Sequence, residues 1–172
     1  EAAVGRAINQ YLKQSNTDRS ELFITTKLWC TDFQNPEKAL RESLERLGLD
    51  YVDLYLMHWP VAMAPGKDLF PSRPDGSKAF LNYDTWNYLQ TYKLLQKVLP
   101  LGLTKAIGIS NFNKAKIENL LTDPEVTVVP AALQIELHPY LPQFELVDYA
   151  KSKGISIEAY SPLGSTGAPV LE

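Results

Sequence analysis

The feature that most constrains this chain is a regular alternation of strand-like and helix-like segments. Five short runs rich in apolar and β-branched residues predict strands at 22–27, 51–57, 104–110, 131–136 and 155–160. The runs are continuously apolar rather than alternating, as expected of parallel strands covered on both faces. Segments with helical periodicity precede the first run and separate the others. The alternation therefore predicts an α/β fold with parallel strands and right-handed crossovers.

The predicted helices have recognisable starts and stops. Asn35 and Pro36 suit a helix N-terminus, because Asn caps the free amides and Pro takes the first helical position. Gly48 ends that helix after Leu47. Further helices are predicted for the opening segment through about Leu12, and for 85–99, 113–121 and 143–153.

Two architectures suit this order of elements, an open doubly wound sheet and a closed barrel. No G-x-G-x-x-G follows any predicted strand, which counts against an open dinucleotide-binding sheet. One connection, 61–82, is long and contains three prolines and two glycines. Loops of this length inside compact domains are usually functional. Because it follows a strand, we expect it at the carboxyl face of a barrel, where active sites are built.

Composition and charge exclude several classes of partner. The chain has 17 basic and 20 acidic residues, a net charge of −3, and no basic cluster, so we expect no nucleic-acid partner. No apolar run approaches the length of a membrane span, and the single cysteine allows no internal disulfide, which suits a cytoplasmic protein. Two histidines and one cysteine in no ligand spacing predict no metal site.

Polar residues stand at the carboxyl ends of all five predicted strands. Alone, each has an ordinary interpretation: a solvated lysine, a hydrogen-bonded histidine or a core tyrosine. In a parallel barrel, however, these strand ends ring one mouth. The residues concerned are Lys27, His58, Ser110, Asn111, Gln134 and Tyr160. Glu136, His138 and Cys30 we interpret as structural.

Four motifs at these positions carry a family resemblance. They are TTKLW at 25–29, LMHWP at 56–60, GISNF at 108–112 and YSPLG at 160–164, and LGLDYVDLY at 47–55 belongs to the same pattern. Together they resemble the aldo-keto reductases, and most of all fungal NADP-dependent members. The resemblance implies a TIM-type (β/α)8 barrel that binds NADPH at its mouth and reversibly reduces aldehydes and ketones to alcohols. The implied partner is a small carbonyl or alcohol substrate, and the implied parent protein is a monomer.

The resemblance also assigns roles to individual residues. Lys27 matches the catalytic lysine, and His58 matches the histidine that orients the substrate carbonyl. The residues matching the nicotinamide carboxamide site are Ser110, Asn111 and Gln134, and Tyr160 matches the tyrosine that stacks on the nicotinamide ring. Ser161, Leu163 and Ser165 match positions that contact the pyrophosphate. Trp29 and Trp59 match aromatic walls of the substrate pocket.

Other parts of the family pattern fall outside the chain. The family's catalytic tyrosine and the aspartate that pairs with its lysine lie just before the residues matching Glu1–Gly5. The arm that grips the 2′-phosphate follows the position of Glu172. We therefore expect 1–172 to be a single reductase domain, incomplete at both ends, with about five strands and five helices. Such a chain would have open sheet edges, a tendency to aggregate, and little or no activity alone.

Two other functions suit the same residues. One is a non-catalytic nicotinamide-binding or regulatory protein of the same fold, because most of the implied nicotinamide site is present without the tyrosine and aspartate. The other is a barrel enzyme of different chemistry, such as phosphate-ester metabolism. The absence of a Gly-rich phosphate cradle after any strand weighs against that second alternative.

Overall fold

The computed structural model describes residues 1–165, which form one five-stranded parallel sheet. The strands are β1 (Thr25–Leu28), β2 (Val52–Met57), β3 (Thr104–Ser110), β4 (Ala132–Glu136) and β5 (Ser156–Tyr160). Their order across the sheet is their order along the chain, and every neighbouring pair is parallel. A doubly wound sheet reverses its strand order at one point, whereas a (β/α) barrel does not. The fold is that of an incomplete parallel barrel, which confirms the predicted fold class.

A helix precedes β1 and another lies in every connection between strands. The helices are α1 (Ala2–Ser15), α2 (Pro36–Leu47), α3 (Tyr88–Gln96), α4 (Lys114–Thr122) and α5 (Phe144–Ser152). Within residues 1–165, none of them has both the length and the apolar character needed to cross a membrane.

Several details of the prediction differ from the structure, among them two boundaries and one cap. Helix α3 is shorter than 85–99: it begins after Asn87, which forms a capping box with Gln90, and Pro100 lies in a separate 3-10 turn. Strand β1 begins at Thr25 rather than at residue 22, because the amide of Ile24 donates to the Asp53 carboxylate. Asn35 does stand at the N-terminus of α2, but its side chain accepts no capping hydrogen bond.

The two faces of the sheet are packed differently. The face toward the helices carries the main core, in which Tyr55, Tyr92, Ile107 and Leu133 are at most 1% exposed. The opposite face corresponds to a barrel interior and carries only a small apolar cluster, consisting of Leu54, Leu56, Ala106 and Ala132. In the described part of the chain, β1 and β5 each pair with one neighbour only, which leaves two unpaired edges.

The amino ends of β1, β2 and β3 are joined by a buried carboxylate. Asp53 accepts from Arg19 at 2.9 Å, from the Ile24 amide at 2.9 Å, and forms an ion pair with Lys105 at 2.8 Å. Its side chain is only 5% exposed. This network lies at the end of the sheet opposite the predicted site, the end that in barrels serves stability.

Candidate active site

The predicted site residues share one face and one end of the sheet. The register pairs Lys27 with Leu56, Ser110 with Gln134, and Glu136 with Tyr160. Because side chains alternate along a strand and paired residues of parallel strands share a face, the two-residue steps place the whole set on the interior face. The residues that this arrangement brings together are Lys27, His58, Ser110, Gln134 and Tyr160.

Lys27 is half-buried at the penultimate position of β1. Burial lowers the pKa of its ammonium group, and the negative charge of Glu158 on β5 partly offsets that effect. β1 and β5 are the two outer strands of the described sheet, and Lys27 and Glu158 both lie on its interior face. Lys27 thus supplies positive charge to the interior face.

His58 follows the last residue of β2, and its main-chain amide donates to the carbonyl of Leu28 at 3.1 Å. Burial and the neighbouring positive charge of Lys27 lower the pKa of its imidazole to about 4. The ring also contacts the edge of Trp29, with 4.8 Å between ring centroids. At neutral pH the imidazole is therefore uncharged, and it can donate one N–H to a ligand oxygen.

Hydrogen bonds join the ends of four strands around Asn111. Its backbone is left-handed, with φ of 62°, and its side-chain amide donates to the His58 carbonyl at 2.8 Å. The Tyr160 hydroxyl donates to Asn111 Oδ1, also at 2.8 Å. The Asn111 main-chain amide and the Ser110 hydroxyl both donate to the Gln134 carbonyl, at 3.0 and 2.8 Å. These groups are consequently fixed before any ligand arrives.

The residues present fit a nicotinamide ring. The side chain of Gln134 is largely buried on the interior face, and among the described residues no side-chain hydrogen bond uses its amide. The amide can therefore donate to or accept from a ligand amide. Beside it lie the Asn111 oxygen and the ring of Tyr160, whose pKa is raised by burial and by the charge of Glu136. An aromatic ring that bears a carboxamide would stack on Tyr160, and its carboxamide would hydrogen-bond to Gln134 and Asn111.

The turn after β5 contains the residues predicted to contact pyrophosphate. Ser161 has a left-handed backbone with φ of 50°, and its carbonyl accepts from the Gly164 amide at 2.9 Å. Leu163 is 75% exposed, and Ser165 is exposed as well. The side chain of Leu163 therefore points away from protein contacts, and any role of this turn toward phosphate would fall mainly to its backbone. That role stays a prediction.

A cleft of about 790 Å³ opens beside Lys27 and His58. The loop 61–82 forms one wall and is ordered by antiparallel bridges, Met63 with Phe80 and Ser72 with Lys78. Its other lining residues are Glu1, Lys27 of β1, His58 after β2, residues of the segment 29–35, and residues of α2, and none of the described residues that line it is a tyrosine. A second cavity of about 480 Å³ lies between α2 and α3, remote from the strand ends, and we assign it no function.

The two predicted tryptophan walls differ in position. Trp29 lines the cleft, and its indole donates to the Leu69 carbonyl at 2.7 Å while its ring meets Phe70 edge-on at 5.3 Å. Trp59 is 43% exposed and does not line the cleft. Leu69 and Phe70 are not among the residues predicted from the sequence. The length of the loop was a signal of function, but nothing in its sequence shows which residues turn back onto Trp29.

The residues interpreted as structural have partners or are shielded. His138 and Glu136 pair at 2.9 Å at the rim of the mouth. Burial raises the pKa of the Cys30 thiol to about 12, so it carries no thiolate at neutral pH. Among residues 1–165, no group of three or more His, Cys, Asp or Glu side chains lies close enough together to hold a metal ion.

Comparison with known proteins gives consistent matches. A sequence model of the aldo/keto reductase family matches residues 1–169. Glycerol 2-dehydrogenase (NADP(+)) of Saccharomyces cerevisiae is 50% identical over 171 residues, covering 96% of this chain and 54% of the relative. An aldehyde reductase of the same yeast is 51% identical over 180 residues, covering 100% of this chain and 55% of the relative. The resemblance to fungal members is thereby confirmed.

A solved structure agrees with the fold. The aldose reductase from Schistosoma japonicum superposes with a TM-score of 0.88 at 42% sequence identity, covering 94% of this chain and 53% of that chain. The chain thus spans about half the length of the relatives it matches.

Proposed function

This chain belongs to the aldo/keto reductase family, and on that basis we propose that it carries the nicotinamide- and carbonyl-binding side of an NADPH-dependent reductase of aldehydes and ketones. The two yeast relatives are named for glycerol and for aldehydes, and the first name includes NADP(+). These names support a small carbonyl or alcohol substrate and NADP rather than NAD. We also propose that residues 1–172 act as a single domain.

One observation carries the proposal. A positively charged lysine, a neutral histidine, the amide of Gln134 and a tyrosine ring converge on the same end of one sheet face. Taken alone, each of these four groups is explained by a structural role. Their convergence at the carboxyl end of parallel strands, where barrel enzymes place their sites, favours a ligand that needs all four.

The chemistry assigns separate roles to Lys27 and His58. When bound, the reduced nicotinamide would supply a hydride, and the substrate carbonyl oxygen would gain negative charge as its carbon accepts that hydride. The charge of Lys27, in a half-buried position, stabilises a developing oxyanion more than it would in water. His58 is neutral, so it would donate an N–H to the same oxygen and orient the carbonyl without adding a second positive charge.

The proton that completes the alcohol needs a donor. The resemblance assigns this step to a tyrosine, whose pKa a nearby ammonium would lower toward neutrality. Within the described residues the cleft around Lys27 is lined by no tyrosine. We therefore propose that the 172-residue chain on its own reduces carbonyls slowly or not at all, and that it contributes binding and charge rather than the proton.

The test of the catalytic assignment is Lys27→Met, compared with Lys13→Met on the exposed side of α1 as the matched control. In the longest form of the protein that contains these residues, Lys27→Met should lower aldehyde turnover by about 100-fold or more. NADPH affinity, measured by fluorescence titration, should change by less than about threefold. Equal turnover in Lys27→Met and Lys13→Met would contradict the role given to Lys27.

The isolated chain provides the second test. NADPH oxidation with a panel of aldehydes should stay far below the turnover of ordinary enzymes, about 10 per second. Turnover in that range by the soluble, monomeric chain would show that a proton donor is present after all. That result would contradict the proposed division of labour.

A further inference from the structure

The indole of Trp29 contacts both His58 and the loop 61–82. Its ring meets the His58 imidazole edge-on, with 4.8 Å between centroids and 83° between planes. It also meets the ring of Phe70 edge-on, at 5.3 Å and 82°. The indole N–H donates to the Leu69 carbonyl at 2.7 Å. One side chain thus joins the loop to the imidazole.

The main chain around Trp29 is anchored to the sheet. Trp29 directly follows Leu28, the fully buried last residue of β1, and precedes a 3-10 turn at Cys30–Asp32. The Cys30 carbonyl accepts from the Met63 amide at 3.0 Å, which ties the base of the loop to the same place. The backbone of Trp29 is therefore set by the sheet, and the outer part of the loop acts on the direction of its side chain.

A local turn presents Leu69 and Phe70 to the indole. The Asp68 carboxylate accepts from the Phe70 amide at 3.0 Å, a bond that closes a short turn around Leu69. Lys78 Nζ, from the returning half of the loop, lies 5.3 Å over the Phe70 ring. Because residues 65–70 are exposed, their position depends on few contacts, and those with the indole are among them.

The imidazole of His58 is oriented by its ring contact. The hydrogen bonds that His58 forms among the described residues use its main chain: the amide donates to the Leu28 carbonyl at 3.1 Å, and the carbonyl accepts from Asn111 at 2.8 Å. These bonds fix the backbone but leave the rotations of the side chain open. An edge-to-face aromatic pair has a preferred geometry, so the contact with Trp29 selects one orientation of the imidazole.

We propose that Trp29 is a positioning residue that couples the loop 61–82 to His58, so that the imidazole is held in one orientation while the loop is seated on the indole. A seated loop and an oriented histidine then occur together, which favours carbonyl binding in the cleft when its wall is in place. This inference rests on the proposed role of His58 and adds how that role is controlled. A change in the loop should therefore alter the imidazole without touching it.

The test measures the orientation of the His58 ring in the full chain by NMR relaxation dispersion of ¹³C-labelled imidazole. Phe70→Leu is the decisive variant, because in the described part of the chain Phe70 has its aromatic contacts with Trp29 and none with His58. It should raise the population of other His58 rotamers by about twofold to tenfold, as expected from the loss of one aromatic pair. Phe23→Leu, an exposed ring at the opposite end of β1, should leave that population unchanged.

Trp29→Phe tests the middle of the connection. It removes the donor to Leu69 and should raise the same population, whereas Trp86→Phe, which removes an indole donor to Thr91, should not. An unchanged His58 ring in a folded Phe70→Leu chain would overturn the coupling, even if Trp29→Phe alters the ring by local packing. If Trp29→Phe loses its dispersed spectrum, Phe70→Leu still decides. No turnover is measured here, so Lys27→Met tests the proposed function separately.

Discussion

The side-chain amide of Asn111 donates a hydrogen bond of 2.8 Å to the main-chain carbonyl of His58, which ties the end of β3 to the end of β2. The bond depends on a left-handed backbone at Asn111, a conformation that asparagine adopts more readily than most residues. Because Tyr160 donates to the same amide, a residue proposed to hold the nicotinamide and a residue proposed to orient the carbonyl are parts of one hydrogen-bonded unit.

The first prediction concerns the protonation of His58. Its pKa of about 4 has two causes, burial first and the charge of Lys27 second. Lys27→Met should therefore raise the His58 pKa, although it should stay below the ordinary value because burial persists. Titration of the imidazole C–H signals by NMR measures this, with His138 as the second histidine signal for reference. A His58 pKa near 6.5 in the wild-type chain would contradict the environment described here.

The same shift has a consequence for stability. Between pH 6.5 and about 4 the imidazole of the unfolded chain binds a proton that the folded chain does not bind. The contribution of His58 to the free energy of unfolding therefore decreases as the pH falls through this window. His58→Gln should show a smaller loss of stability across it than the wild type, in urea unfolding measured at intervals of pH. Parallel pH profiles would contradict the prediction.

The second prediction concerns the carboxylate at the opposite end of the sheet. Asp53→Asn keeps the size of the side chain but removes the charge that Arg19 and Lys105 share. The free energy of unfolding should fall by about 1–3 kcal/mol, because Arg19 is then left with a poorly matched buried partner. Urea denaturation measures this. Glu42→Gln is the matched control, since the Glu42–Lys38 pair is exposed and should contribute less than about 1 kcal/mol. Equal effects of the two changes would contradict it.

The third prediction concerns the loop 61–82. Trp29→Phe keeps an aromatic ring but removes the donor to the Leu69 carbonyl, so the loop should open more often. Hydrogen exchange within 61–82 should accelerate by about threefold to tenfold, in line with the loss of one hydrogen bond. Trp59→Phe serves as control, because Trp59 does not line the cleft. Equal acceleration in both variants would show that the indole N–H does not hold the loop.

The fold was largely predictable because it depends on periodicity. The five strands were found within three residues of their observed starts, since continuous apolar runs mark strands covered on both faces. Helix α2 was predicted to the residue at both ends, because Pro36 and Gly48 have narrow backbone preferences. The late start of β1 was not predictable, because it depends on a contact with Asp53 that is distant in sequence.

The site was predictable in its members but not in its connections. Residues at strand ends converge in any parallel barrel, so Lys27, His58 and Gln134 could be placed at one mouth from the sequence alone. The hydrogen-bond partners of these polar groups were not predictable. Ser110 and Asn111 donate to main-chain carbonyls at the ends of neighbouring strands, and only the three-dimensional register supplies those partners.

The most direct test of the central claim is calorimetric titration of NADPH into the full chain and into Tyr160→Ala. Tyr11→Ala is the matched control, because that ring is 51% exposed and lies on α1. We predict one binding site in the wild type and in Tyr11→Ala, and an affinity lower by about tenfold or more in Tyr160→Ala, since aromatic stacking and a fixed amide are both lost. Absence of binding by the wild-type chain, or equal affinity in all three proteins, would contradict the claim that these strand ends form a nicotinamide site.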